Sequence, residues 1–280
     1  MKKIIISLLL LIVFVQAADL SQQEINHQNA IIESLDWING PKFVNVGLNA
    51  SFNVPEGYVF LNPQDTATLM ELIQNPKSLN EYFFGPNDMH WFGLFSYEDT
   101  GYVKDDEKID ASSLLESLKA GTEAGNKIRI QKGWPTMTIL GWKYKPFYDP
   151  QTKRLDWAID GISDNVPVIN YNTRILGRSG VTSVTLVTGP DNLQADVADF
   201  KNTVDNYQFN SDNQYSAFKE GDKIAEYGLM ALIAGGAAAV ATKKGFFAVI
   251  AASLAAFWKL IAVGFIALLA GIGKFFGKKD

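Results

Sequence analysis

The chain has 280 residues, 47% of them hydrophobic and 12% aromatic, with a formal net charge of -5. Two of the 25 basic residues are Lys2 and Lys3 and six lie from Lys243 onward, whereas 29 of the 30 acidic residues lie between, so that body carries -12. An acidic body repels phosphate backbones, which argues against nucleic-acid binding; the lack of cysteine removes disulfides and thiolate chemistry, and His27 and His90 alone make no multi-histidine metal site.

Residues 1–17, MKKIIISLLLLIVFVQA, place two lysines before about a dozen apolar residues. Val15 and Ala17 stand where a signal peptidase reads small side chains, and the run is shorter than the roughly 20 residues of a spanning helix. A cleaved signal peptide is expected, with residues 18–223 exported as one domain. Residues 21–37 bring Ile25, Ile32, Leu35 and Ile38 near one helical face. Gly40 and Pro41 close that helix. Strands are expected over 43–61, with a turn at Pro55, Glu56 and Gly57.

Asn62 and Pro63 open a helix with a capping residue and a first-turn proline; Leu69, Met70, Leu72 and Ile73 are its apolar side, and Asn75 and Pro76 stop it. Residues 91–97 read as an aromatic strand and 102–110 as a charged loop. A capping box at Ser113 and Glu116 predicts another helix, weakened toward its end by Gly121 and Gly125. Residues 136–142 and 154–160 look like paired strands around a turn-rich 145–150. Strands at 166–176 and 181–188 form a hairpin through 177–180. Leu193, Val197, Phe200 and Val204 share a face of a helix over 191–204, and a polar link, 205–222, follows. The pattern predicts an α+β fold, an antiparallel sheet with flanking helices.

Residues 224–280 are read as the membrane anchor. Within 227–273 the only charges are Lys243, Lys244 and Lys259. Lys274, Lys278 and Lys279 favour the cytoplasm, so an exported body requires an odd number of crossings. The best-placed transmembrane helical segment, about 253–272, sets Lys259 and Trp258 at the outer membrane interface. Residues 228–241 would then lie on the surface or pack on the domain; the alternative is a second inserted element, making a hairpin. Ala248, Ala252 and Ala256, and Ala267 and Gly271, recur at four-residue spacing, which allows a homo-oligomer through Ala252, Ala256 and Gly271.

Several motifs recur in combination. They are PEGYVFL at 55–61, GYVKDD at 101–106, Asn126 with Arg129, and GWKYKPFYD at 141–149. LDWA at 155–158, NYNTRILGRSGV at 170–181 and DKIAEYGL at 222–229 complete them. With these the chain resembles a bacterial family of exported, membrane-anchored proteins known only as a domain of unknown function. The resemblance implies an exported body and a C-terminal anchor, and no reaction. The closing strand pair and helix also resemble a PsbP/Mog1-like sandwich.

The candidate ligand-binding residues are Asp149, Asn170, Arg174 and Arg178. Two arginines four apart beside a strand could clamp a carboxylate or phosphate, or pair structurally with Asp149, Asp156 or Asp160. The cluster Asp105, Asp106, Glu107 and Asp110 has the oxygens of a calcium loop but not its spacing; a solvated loop ahead of a helix is the plainer account, and no metal or cofactor is expected. Trp134, Trp142, Tyr144, Phe147, Tyr148 and Trp157 suit a sheet core, Trp142 and Trp157 above all, although exposed aromatics could meet sugars or proteins. No G-x-S-x-G elbow or phosphate loop occurs.

The expected function is that of an envelope protein in the inner (cytoplasmic) membrane, its periplasmic domain binding a partner protein or cell-wall component. The alternative is a periplasmic hydrolase using Asp149, Asp156 or Asp160 with Arg174 or Arg178.

Overall fold

The computed structural model describes residues 22–163 and 165–234. The expected signal peptide at 1–17, Trp258, Lys259 and the small residues at 252, 256 and 271 lie outside them. Among the described residues no helix is long and apolar enough to cross a membrane.

The elements run α1 (Gln22–Ser34), β1 (Ile38–Asn39), β2 (Lys42–Val46), β3 (Ala50–Val54), β4 (Tyr58–Leu61), α2 (Pro63–Leu72), β5 (Glu81–Pro86) and β6 (Phe92–Glu98). Then come α3 (Ala111–Gln131), β7 (Met137–Asp149), β8 (Arg154–Ser163), β9 (Val166–Leu176), β10 (Val181–Thr188), α4 (Leu193–Val204), β11 (Tyr207–Phe209) and α5 (Leu229–Ala234). Eight strands form an antiparallel sheet in the order β1-β4-β5-β6-β10-β9-β8-β7, and β11-β3-β2 form a second, small sheet. This is the expected α+β architecture. The turn at 55–57 proves to be a corner between two sheets, because β3 pairs with β2 and β11 while β4 pairs with β1 and β5.

Strand alternation sends successive side chains to opposite faces, so register decides what each face buries. One cross-sheet row is Ala158, Tyr171, Leu186, Gly93, Phe84 and Phe60. It faces the small sheet and α4, and with Phe52, Phe95, Phe200 and Tyr207 makes the main core. Rings dominate there: Phe84 stacks on Phe95 at 4.3 Å between centroids and Phe52 meets Phe95 at 5.0 Å. Burying each such ring contributes about 1.5–3 kcal/mol. Asp199 of α4 is fastened to the sheet, accepting from Tyr58 Oη at 2.5 Å and Trp91 Nε1 at 3.0 Å. Burial first, then that carboxylate, pushes the Tyr58 hydroxyl up to about 12.

Among the described residues, the other face is covered at its two ends. At one, α1 and α2 pack Ile32, Leu69 and Met70 on Leu61, Phe83 and Phe92. At the other, Leu114 of α3 and Leu229, Leu232 and Ile233 of α5 pack with Leu155, Trp157, Val181 and Tyr215. The strip between carries Asn170, Arg174, Ser183, Thr185 and Ser96, all half-buried. Polar side chains give a helix no apolar surface to cover, and no helix among the described residues packs its apolar side on this strip.

Local signals set the helix ends. Asn62 Oδ1 accepts from Asp65 N at 3.0 Å with Pro63 in the first turn, as expected. The stop is made by Gln74 rather than by Asn75 and Pro76: Gln74 N donates to Glu71 O and Asn75 N to Met70 O, a Schellman closure with Gln74 at φ 58°. The expected capping box at Ser113 is corrected to Asp110, which accepts from Ser112 N and Ser113 N. Helix α3 runs through Gly121 and Gly125, since both lie on open flanks where neither alters a contact.

The link 205–222 is folded, not merely polar. Tyr215 donates to Val103 O at 2.9 Å and stacks on Tyr102 at 4.4 Å. Met230 N donates to Glu107 Oε2, tying α5 to the acidic loop. Leu229, Leu232 and Ile233 are 1–3% exposed, so the start of the apolar run, as far as 234, packs into the domain core.

Candidate functional site

A groove of about 470 Å³ opens on the half-covered face, between the C-terminal ends of α2 and α3. Its floor is Phe92 and Leu94 of β6, Val187 of β10, and Val168 and Asn170 of β9. Phe92, Val187 and Asn170 form one cross-strand row, which is why three residues far apart in sequence share a surface. Met70, Leu72 and Ile73 form one wall; Arg129, Pro135 and Met137 form the other.

Asn126 and Arg129 fix the second wall. The Asn126 amide meets Met137 as a strand partner would, Nδ2 to O at 2.7 Å and Oδ1 from N at 2.8 Å. One helical turn on, Arg129 Nε donates to Pro135 O and Nη2 to Gln74 O at 3.2 Å. The guanidinium thereby joins the two walls. Gln74 holds a left-handed conformation that costs a non-glycine residue roughly 1 kcal/mol, and this turns its carbonyl to Arg129.

Arg129 and Glu81 are the two ionisable side chains lining the groove, and neither has an opposite charge within 4.0 Å among the described residues. Burial pulls the Arg129 guanidinium down from its ordinary value and pushes the Glu81 carboxyl up. Both directions have one cause, the loss of water around a charge.

The residues expected to form the site are divided. Asn170 lines the groove. Arg174 lies on the same face, its guanidinium 4.7 Å from the Trp157 ring centroid, and donates to Thr173 O at 3.3 Å. Burial holds it down to about 10 against the raising effect of Glu98, so it stays cationic at neutral pH. Arg178 is taken up structurally, by Asp222 through Nε and Nη2, each 2.7 Å. Asp149 caps the β7–β8 turn, accepting from Gln151 N and Thr152 Oγ1.

Arg174 and Arg178 thus take different partners, and neither pairs with Asp149, Asp156 or Asp160 within 4.0 Å. Asp156 accepts from Thr173 Oγ1 at 2.7 Å on the face opposite Arg174, and Asp160, four residues on, shares that face. Those acids and Arg174 do not converge.

The remaining candidates resolve simply. Asp105 accepts from Tyr148 Oη and Lys153 Nζ; against the burial that raises it, these two partners bring its carboxyl below the usual range. With Glu107 and Asp110 also engaged, the acidic loop serves the fold, and among the described residues no group of three His, Asp or Glu side chains could hold a metal. Trp157 is core, whereas Trp142 is half-buried, donating to Ala111 O, and Tyr144 and Phe147 are exposed. Sequence reasoning missed Glu81 and the groove. Arg129 carried a signal as half of a motif with Asn126.

Among the described residues, fold and groove define an α+β domain with a groove on a large antiparallel sheet between the ends of two helices. The chain belongs to the family described as "Protein of unknown function (DUF2167)", whose sequence model matches residues 38–269. No curated protein matches it. Among solved structures, the solution structure of cyanobacterial PsbP (CyanoP) from Synechocystis sp. PCC 6803 is similar at 11% identity and a TM-score of 0.37, with 63% of this chain and 93% of that chain covered.

Proposed function

We propose that the protein is a membrane-tethered binding protein of the cell envelope. Its acidic domain stands in the periplasm and holds a partner protein or cell-wall component, and residues after 234 anchor it in the inner membrane. The observation that carries the binding role is the groove: a mainly apolar surface lined also by Arg129 and Glu81, both without a countercharge among the described residues. Partly desolvated charges without a countercharge are costly to the fold alone, and a ligand of opposite charge recovers part of that cost.

The location rests on the chain's ends. The basic-then-apolar 1–17 directs export, and Lys274, Lys278 and Lys279 hold the last residues inside. The packing of α5 favours a single crossing. Leu229, Leu232 and Ile233 are committed to the domain core, so the crossing falls to 245–273, long enough for one helix with Trp258 and Lys259 at the outer interface. Close contacts through Ala252, Ala256 and Gly271 would make the tethered form an oligomer.

The test is a tag after Asp280 combined with a photo-crosslinking side chain in place of Ile73. In spheroplasts the tag should resist added protease while the domain is digested, and the crosslinker should capture a discrete envelope component. Release of the whole chain by alkaline carbonate would overturn the tether. Crosslinks spread over abundant proteins alone would overturn the binding role.

A further inference from the structure

We propose that the groove binds a short apolar peptide with free ends, its carboxylate on Arg129 and its ammonium group on Glu81. The inference deepens the binding role proposed above and rests on it.

The groove offers one cation, one carboxyl and otherwise mainly apolar surface. Arg129 is held by two backbone carbonyls, Pro135 O and Gln74 O, which fix the guanidinium across the walls without neutralising it. A carboxylate accepts from such a fixed planar donor better than from a flexible one, and partial burial strengthens the pair. Glu81 supplies the complementary end, an acceptor for an ammonium group at the start of β5. Met70, Phe92, Leu94 and Val187 leave room for aliphatic side chains, and Asn170 presents an amide to the peptide backbone.

Size and charge exclude other classes. About 470 Å³ is within the range of roughly 300–1,000 Å³ for small-ligand sites, which suits a few residues and not a folded segment. A simple aliphatic acid would use Arg129 but leave Glu81 against its apolar chain. An anionic polymer is opposed by the acidic body.

The experiment is calorimetric titration of the full-length protein with a Leu-Val-Leu tripeptide, its N-acetyl form, its C-terminal amide and hexanoate; di- and tetrapeptides set the span. The free tripeptide should bind, and blocking either end should weaken it by about tenfold or more, the size of one charge-assisted hydrogen bond. Glu81→Gln should abolish the effect of acetylation only, and Arg129→Gln that of amidation only. The blocked-peptide comparison uses the unaltered protein, so it decides the matter even if Arg129→Gln loosens the adjoining loops. Equal binding of free and blocked peptides, or hexanoate binding as tightly as the tripeptide, overturns the assignment. If no peptide binds while the residue-73 crosslinker still captures one component, this assignment falls and the broader binding role stands.

Discussion

Replacing Leu232 with alanine should destabilise the whole domain, although the sequence alone leaves open whether that residue lies on the membrane surface, packs on the domain or inserts. Leu232 is 3% exposed, in a cluster with Leu114, Trp157, Val181 and Tyr215. Removing a buried leucine side chain loses its transfer energy and leaves a cavity, together about 2–5 kcal/mol. Against a total stability of about 5–15 kcal/mol this is a large fraction, and for a domain of this size it lowers the midpoint by roughly 4–20 °C. The assay is thermal and urea unfolding of the full-length protein in detergent, followed by tryptophan fluorescence, since Trp157 belongs to the same cluster. Leu48→Ala is the control. That side chain is 94% exposed, and its loss should change stability by less than about 0.5 kcal/mol. If Leu232→Ala behaves like Leu48→Ala, α5 contributes no stability and the domain ends before it.

Two further predictions concern the fold. Partnership with Arg178 first, then the Lys219 amide, depresses the Asp222 carboxyl to about 2. Its contribution is therefore fully present above the unfolded carboxyl's ordinary value near 4 and is lost as pH falls through about 2. Asp222→Asn should lower the urea midpoint at neutral pH, the gap from wild type closing between about pH 4 and pH 2; parallel curves would refute the linkage. Gly93→Ala would set a Cβ 2.2 Å from the Phe84 ring, which the Phe95 stack holds in place. A loss of about 1–3 kcal/mol is expected, partly restored by adding Phe84→Leu, as a double-mutant cycle would read.

Much of the fold is legible because its signals are local. Asn62 with Pro63 specifies a helix start, and the glycines at 177 and 180 join two runs that pair residue for residue as β9 and β10. Where local signals mislead, packing explains it. Strand β5, EYFFGP, is buried on both faces from Phe83 to Pro86 and shows no alternation to read. The loop 145–150 contains turn residues, yet bulges absorb them and β7 runs through to Asp149. The link 205–222 is polar in composition, yet Tyr207 and Tyr215 within it are buried.

By itself, then, the sequence determined the class of fold, the run of its main elements and the strongly apolar ends of the chain. Each of these depends on neighbours within a few positions or on a long compositional run. Only the tertiary structure decided which charges meet. Arg178 finds Asp222, 44 residues on, instead of a ligand, while Glu81, Arg129 and Asn170 come together around one groove. Their meeting depends on strand order and register across β5, β6, β10 and β9 and on where α2 and α3 stop. Those are long-range pairings, and no spacing along the chain encodes them.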